Sequence, residues 1–537
     1  MVDRLAKRPQ FIMTTPVCIS QAFMDSFHAH HAQLLGKRVW LACSGGRDSL
    51  GLALLCRTLF DQGRLPFLPQ LIHVNHGMQA ANDEWAQQVA QWAQQHDMAC
   101  QIIGLNLTHK SEQAARDGRY QAMMQLMNQD DVLILGHHQD DQVETLLMRL
   151  FNGAGVTGLG AMREWTSKQA HTAQSPPDVN KPRQRIFLWR PWLEISRDQI
   201  TEYAQRHNLK YIDDPTNVAQ SPSKLALQTL NDRAWLRSVL LPHITERYPQ
   251  ASEAMARTAQ LMQQASDSID EQVTQDLAQV ALAATEQQSV IALDKLAGLS
   301  APRQAALIHH WLAPYPNQLP PSKRLVDEVL ALSFRQDSNH QTCLYFDAGS
   351  EQYQVRRYQN KLYRLQHAYA QWLQMMPHQI HLPLAHNAEE LSLNLADTDV
   401  LSLKQSGLEF DWQLTGVRGL MAHLARLLNS ADAKVTPCQL IFEPLPRTIK
   451  LALAGRSGRK SGKKLLQALD QPSFMRGSVV LCRLDMMGSD GILQDSSTAV
   501  PLFIICIDRI WVLQSQFTAL INQLLATEVL STQILEC

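Results

Sequence analysis

Ser44-Gly45-Gly46-Arg47-Asp48-Ser49 decides the reading of this chain. It follows an apolar run, Val39-Trp40-Leu41-Ala42-Cys43, and opens an apolar-periodic segment, Leu50-Gly51-Leu52-Ala53-Leu54-Leu55. The pattern predicts a buried strand, a glycine turn and a helix N-terminus. Glycines let the backbone come close to a ligand, and the turn amides with the helix dipole favour an anion there. Ser44 and Ser49 add hydroxyl donors, and Asp48 can help hold a metal ion that bridges phosphates. A capped turn without ligand would use similar residues. Here two glycines, two serines and an aspartate coincide at one strand–helix junction.

Outward from this loop, apolar strands alternate with helical patterns. Strands are expected at 38–43, 70–75, 99–105 and 131–136, and helices at 49–60, 81–96, 112–127 and 139–151. Alternation of this kind means an α/β fold, a doubly wound parallel sheet with helices on both faces. Ligands on such sheets bind at the carboxyl ends of strands, where residues 44–49, His76 and His137 all fall. His73-Val74-Asn75-His76-Gly77 ends the second strand and makes a nucleotide-site wall, or only a strand-end turn. Gly136-His137-His138-Gln139-Asp140-Asp141-Gln142-Val143-Glu144-Thr145 ends the fourth. Acidic residues in a first helical turn complement the helix dipole. Facing a phosphate loop, they can also hold Mg²⁺ or take a proton from an attacking amine. Asp140 and Glu144, four apart, share one face of that helix. Arg116 and Arg119 lie three apart on another helix face, available to phosphate or nucleotide. Gly153 to Gly158 matches GxGxxG but follows a helix, so it is a helix-terminating turn and not a dinucleotide loop.

Of the 537 residues, 45% are hydrophobic and 18% charged, which allows several globular domains. The nine cysteines are scattered with no Cys-x-x-Cys pair. That argues against a zinc ribbon, an iron–sulfur site or a disulfide framework, and fits a reducing compartment. No run of eighteen apolar residues and no signal-like N-terminus is present. A soluble cytoplasmic protein without a membrane partner is expected.

The expected division is an N-terminal extension (1–36), an α/β domain that carries the phosphate loop (37–245) and a helical linker (246–283). A smaller α+β middle domain (284–366), a linker or insertion (367–439) and a C-terminal α+β domain (440–537) follow. The polar stretch 167–185, with three prolines, is expected to be a mobile insertion. Tyr211-Ile212-Asp213-Asp214-Pro215-Thr216-Asn217 reads as a turn. Arg233 and Arg237 lie four apart on a helix that could contact phosphates. Between Arg447 and Arg483 nine Lys or Arg stand against one acid, Asp470. In a chain of net charge −1 that is a local footprint for nucleic acid.

Together these residues resemble the bacterial tRNA(Ile)-lysidine synthases of the PP-loop ATP pyrophosphatase superfamily. SGGRDS, HVNHG, EQAARDGRY, GHHQDDQVET, GLGAM, RPWLEISRDQI, DDPTN and RAWLR occur in the family's order. Ala234 departs from it, standing where the family usually has asparagine. The resemblance implies an ATP-dependent ligase acting on the wobble cytidine of an isoleucine tRNA with a CAU anticodon. ATP adenylates the base, and free L-lysine displaces AMP to give lysidine. Residues 44–49, with His73 and His137, would bind ATP. Asp48, Asp140, Asp141 and Arg119 would be catalytic, with the three aspartates dividing metal (Mg²⁺) binding and lysine deprotonation. Arg116, Arg233, Arg237, Arg456, Lys460, Lys463, Lys464 and Arg476 would face tRNA. A homodimer is compatible with this reading. The rival readings are a PP-loop tRNA thiolase, which typically wants cysteine pairs, and a non-catalytic tRNA-binding protein.

Overall fold

The structure, a computed structural model, describes residues 18–75, 82–105, 112–169, 185–212, 232–285, 287–314, 320–336, 341–348, 352–375, 377–384, 400–402, 410–429, 438–486, 499–506 and 509–536. Residues 76–77 of HVNHG, 170–184 of the expected insertion and 213–217 (DDPTN) lie outside that set. The chain divides into two compact units, Met1–Gln272 and Val273–Cys537.

The first unit runs α1 (Ile19–Ala29), α2 (His31–Leu34), β1 (Val39–Ala42), α3 (Arg47–Asp61), β2 (Gln70–Asn75), α4 (Asn82–Gln95), β3 (Cys100–Gly104), α5 (Glu112–Leu126), β4 (Val132–Ile134), α6 (Gln139–Phe151), α7 (Val156–Leu159), β5 (Trp165–Gln169), β6 (Arg185–Trp189) and α8 (Arg197–Arg206). The sheet order is β3-β2-β1-β4-β6-β5. All neighbours are parallel except β5, which runs antiparallel to β6. Strands buried on both faces read as continuous apolar runs, and β1 is one. Val39 and Leu41 pack with Phe23 of α1, Leu52 of α3 and Ile200 of α8. Trp40 packs on the other face with Met123 and Met124 of α5. The strand order reverses between β1 and β4, so the loops after these two strands diverge and leave a crevice between them.

Two expectations for this unit change. Residues 19–34 are not an extension. Ile19, Phe23, Met24 and Phe27 recur at helical spacing and are buried in the same core as Leu41, so α1 belongs to the domain. Residues 167–169 and 185 are strand, paired across β5 and β6. Backbone pairing, which composition does not report, carries the polar residues at the ends of the expected insertion. Gly153 has φ of +71° and ends α6, as expected of a turn, and Gly155 caps the short α7.

The helix Ala251–Val280 follows, and the division between units falls within it. The second unit holds a sheet of β7 (Ala281–Ala284), β8 (Gln288–Ala292), β9 (Cys343–Asp347), β10 (Gln352–Tyr358) and β11 (Lys361–Gln366), ordered β7-β8-β11-β10-β9. Helices Ala301–Leu312 and Lys323–Ser333 cover one face through Leu307, Trp311, Val326 and Val329. The other face, through Tyr363 and Leu365, shares a core with the elements that follow. These include β12 (Ile380–Leu384), β13 (Val400–Ser402), β14 (Phe410–Thr415), β15 (Cys438–Pro444), β16 (Lys450–Leu451), β17 (Lys460–Ser461), β18 (Val480–Met486), β19 (Val500–Cys506), β20 (Arg509–Val512) and β21 (Ser531–Glu536).

The described residues of the expected linker or insertion, 367–439, are therefore built into the second unit. β12 pairs with β15, β14 pairs with β21, and the helix Val417–Asn429 buries Leu420, Met421 and Leu424 in the common core. These strand partners lie 54 to 126 residues away in the chain, as in Leu384 to Cys438 and Phe410 to Glu536, so no local pattern announces them. Among the described residues, the last segment holds the α-helices Gly462–Ala468 and Thr518–Ala526, as expected of an α+β domain.

Candidate active site

The loop 44–49 turns because Gly45 adopts φ of +87°, a conformation costly to any residue with a Cβ. Space enforces the same choice. A Cβ on Gly45 would stand 2.4 Å from Ile212 Cδ1 and 3.0 Å from Val89 Cγ2. Gly45→Ala should cost about 1–3 kcal/mol and raise the KM for nucleotide, and denaturant melts beside steady-state kinetics would measure both. Unchanged stability and KM would show that the loop can relax around a methyl group. The two serines lock the turn. The Ser44 amide donates to Ser49 Oγ at 3.1 Å, Ser49 Oγ donates to the Gly46 carbonyl at 3.1 Å, and the Gly46 amide donates to Ser44 Oγ at 3.3 Å. Arg47, the variable position of the motif, turns sideways. Its Nε and Nη2 donate to Asp48 Oδ1 at 3.0 and 2.8 Å, and Nη1 donates to Thr201 Oγ1 of α8 at 2.8 Å.

The crevice between the ends of β1 and β4 is a cavity of about 340 Å³. It collects Ser44, Asp48, Ser49, Arg119, His137, Asp141 and Arg233, all expected from sequence, onto one wall set. Apolar Ile72, Val74 and Met123 complete it, a surface suited to a base ring. Gly136 lets β4 come close, since a Cβ there would lie 3.3 Å from the Asp48 carbonyl oxygen.

Other expected residues have different settings. His73 is buried, and its Nδ1 is 2.8 Å from the Cys43 carbonyl, to which it donates. Burial holds its pKa down, against that hydrogen bond. Asp140 Oδ2 accepts the Arg197 amide at 2.9 Å, at the N-terminus of α8. Glu144 does not share a phosphate face with Asp140. It is fully buried and accepts from Arg237 Nε at 2.7 Å, so Arg237 is turned inward to it. Arg116 lies on α5, but its side chain is outside the described residues. In the second unit Arg456, Lys460, Lys463 and Lys464 are exposed. Arg476 instead donates to the Gln471 carbonyl at 2.9 Å and to Tyr358 Oη at 3.3 Å.

The residue that sequence reasoning missed is His138. It caps α6 and is buried, and its ring lies 3.6 Å from each of Asp48 Oδ2, Asp140 Oδ2 and Asp141 Oδ2. Burial alone would lower its pKa. The charge of Asp141 and the hydrogen-bonding carboxylates of Asp140 and Asp48 overcome that and raise it to about 10. Burial likewise opposes ionisation of Asp48, but His138 and Arg47 pull it down to about 2. Asp140 is lowered too, against burial, by His138 and the Arg197 amide. The site therefore holds an imidazolium among three carboxylates. The signal present in sequence was position: a histidine at the N-cap lies beside acids at the second and third helical residues.

Among the described residues no three His, Cys, Asp or Glu side chains form a ready-made metal cage. The expected trio Asp48, Asp140 and Asp141 faces His138 instead. Mg²⁺ on a nucleotide needs only one or two carboxylates beside the phosphates, and the cavity wall offers Asp48 and Asp141, so the residues fit that ion. Cys18, Cys43, Cys56, Cys100, Cys343 and Cys482 form no disulfide. Cys43 lines the cavity, and burial pushes its thiol up to about 12, which leaves it inert as a nucleophile. No described helix is long and apolar enough to cross a membrane.

A profile described as PP-loop domain matches residues 19–244, and one described as TilS substrate binding domain matches 291–363. The tRNA(Ile)-lysidine synthase of Acinetobacter baylyi is 33% identical over 61% of this chain and 63% of its own. That of Pseudomonas syringae pv. tomato is 37% identical over 51% and 57%, respectively. That of Vibrio campbellii is 32% identical over 63% of this chain and 72% of its own. The chain thus spans a little under two thirds of the first two relatives and more than two thirds of the third. Among solved structures, the U34-tRNA thiolase NcsA of Methanococcus maripaludis is 17% identical, covers 46% of this chain and 80% of its own, and has a TM-score of 0.32. With two domain matches in order and a relative above 30% identity covered over most of its length, this chain belongs to the tRNA(Ile)-lysidine synthase family.

Proposed function

We propose that this chain joins free L-lysine to C2 of the wobble cytidine of a CAU-anticodon isoleucine tRNA, consuming ATP to AMP and pyrophosphate, in the cytoplasm. The observation that carries the reading is the cavity at the β1–β4 crevice, walled by the phosphate-loop serines, two carboxylates and two arginines. The C2 carbonyl oxygen attacks the α-phosphorus, and the bond to pyrophosphate breaks. The lysine Nζ then bonds C2, AMP leaves with that oxygen, and the amine's proton passes to a carboxylate.

Each part has a role for this chain's residues. The loop amides and the serine hydroxyls take up phosphate charge. Arg119 and Arg233, which also line the cavity, add guanidinium charge. Asp48, ionised at any working pH and held in place by Arg47, would hold Mg²⁺, which when bound neutralises phosphate charge. Asp141, the other carboxylate lining the cavity, is the proton acceptor in this reading. Asp140 keeps His138 charged and holds α8. The test is an incubation of the protein with ATP, radiolabelled lysine and bulk tRNA. Label in tRNA, dependent on ATP, is the expected result. No label from lysine, with sulfur entering tRNA from a donor instead, would favour the thiolase. Cys43 as an inert thiol weighs against that outcome.

The exposed Arg456, Lys460, Lys463 and Lys464 are proposed to hold the tRNA body. Their replacement by alanine should raise the KM for tRNA and flatten the salt dependence of binding. The slope should fall by about 0.7–0.9 for each phosphate that is no longer neutralised. ATP affinity should not change. Filter binding at several salt concentrations measures this, and an unchanged slope would mark the cluster as solvated surface.

A further inference from the structure

We propose that Arg190, which follows β6 in the segment Arg190-Pro191-Trp192, is a positioning residue for the nucleotide site, acting through His137. The residue is buried, 8% exposed. Nη1 donates to the Arg163 carbonyl at 2.8 Å and to Thr166 Oγ1 at 3.2 Å, which fixes the head group on β5 and the turn before it. Nε then donates to His137 Nδ1 at 3.2 Å. A guanidinium does not give up its protons, so it can only donate. His137 Nδ1 must accept, and a ring that accepts at Nδ1 is neutral and carries its single proton on Nε2. His137 lines the cavity. Arg190 thus sets the ring as a fixed, uncharged donor toward the bound nucleotide, from a position buried behind the site. The inference rests on the reading of this cavity as the ATP site.

A double-mutant cycle tests it, with ATP affinity measured directly by calorimetry on the full chain in the absence of tRNA. His137→Gln keeps an N–H donor near the place of Nε2, whereas His137→Asn keeps one only near Nδ1. His137→Gln should retain ATP affinity within about threefold, and His137→Asn should lose about tenfold, the value of one hydrogen bond at the upper end of its usual range. Arg190→Leu should lose about tenfold with His137 present and nothing further in the His137→Gln background. It should raise the KM for ATP more than it lowers kcat. The His137 Nδ1 nitrogen resonance should fall in the unprotonated imidazole range in the wild type and leave it in Arg190→Leu. Equal loss from Arg190→Leu in both backgrounds, or a protonated Nδ1 in the wild type, overturns the inference. If Arg190→Leu misfolds, His137→Gln against His137→Asn and the wild-type nitrogen resonance still decide it. A wild-type protein that binds no ATP overturns the ATP reading instead, while its Nδ1 resonance still tests the Arg190–His137 contact.

Discussion

Asp48→Ala should leave a folded chain that binds ATP and tRNA but releases pyrophosphate about a thousandfold more slowly, the scale at which loss of a charge-stabilising group acts on a reaction. Asp48 lines the cavity and is one-third exposed, so truncation opens no apolar void. Removing it leaves Arg47 and the imidazolium of His138 with less opposing charge, which strengthens attraction for phosphate. The KM for ATP should therefore stay level or fall while kcat collapses. Asp141→Asn separates the second role. Asp141 Oδ2 accepts the His138 amide at 3.1 Å, and an asparagine oxygen can still do so. Capping worth roughly 1 kcal/mol is thus retained, and what is lost is a proton acceptor. Pyrophosphate release should persist while lysine transfer falls about a hundredfold. Single-turnover assays that follow pyrophosphate and lysine label separately distinguish the two variants. Turnover within tenfold of wild type for Asp48→Ala would remove it from the chemistry.

His138→Gln should cost about 3 kcal/mol of stability near pH 6, the lower end for breaking a buried ion pair, because Asp48 and Asp140 remain a third exposed. In the first unit that corresponds to roughly 6–12 °C in Tm. The pH dependence follows from two shifts. The His138 pKa rises from 6.5 to about 10 on folding, so its contribution is full below 6.5 and is lost as pH rises through about 10. The Asp48 pKa falls from 3.8 to about 2, so its contribution is full above 3.8 and is lost as pH falls through about 2. The metal- and nucleotide-free wild type should lose stability steadily from pH 6.5 to 10, and His138→Gln should lack that part of the slope. Thermal melts in chelator across this range measure it. Parallel curves for the two proteins would mean that the ring is neutral in the fold.

The alternation of strands and helices from residue 38 to 151 was legible in the chain itself. β1, β2 and β4 are apolar runs of the right length, and each following helix has an amphipathic period. The loop 44–49 and the 136–145 segment were legible for the same reason: glycine, capping residues and charge sit within a few positions of one another, and their geometry is local. Such patterns also placed Ser44, Asp48, His137 and Asp141 at strand ends on one sheet edge.

What remained hidden depends on partners distant in sequence. Whether Glu144 faces phosphate or is buried is decided by Arg237, 93 residues away. Arg190 reaches His137 across 53 residues. The charge of His138 depends on Asp48, brought beside it only when β1 and β4 pair. Residues 19–34 and the described parts of 367–439 read as extension and as linker or insertion because an apolar helix face or an isolated strand has no local sign of what will cover it. Sequence periodicity determines which face of an element is apolar. Only packing determines which charges are taken out of water together, and desolvation with Coulomb attraction at those distances decides protonation, hydrogen-bond direction and therefore chemistry.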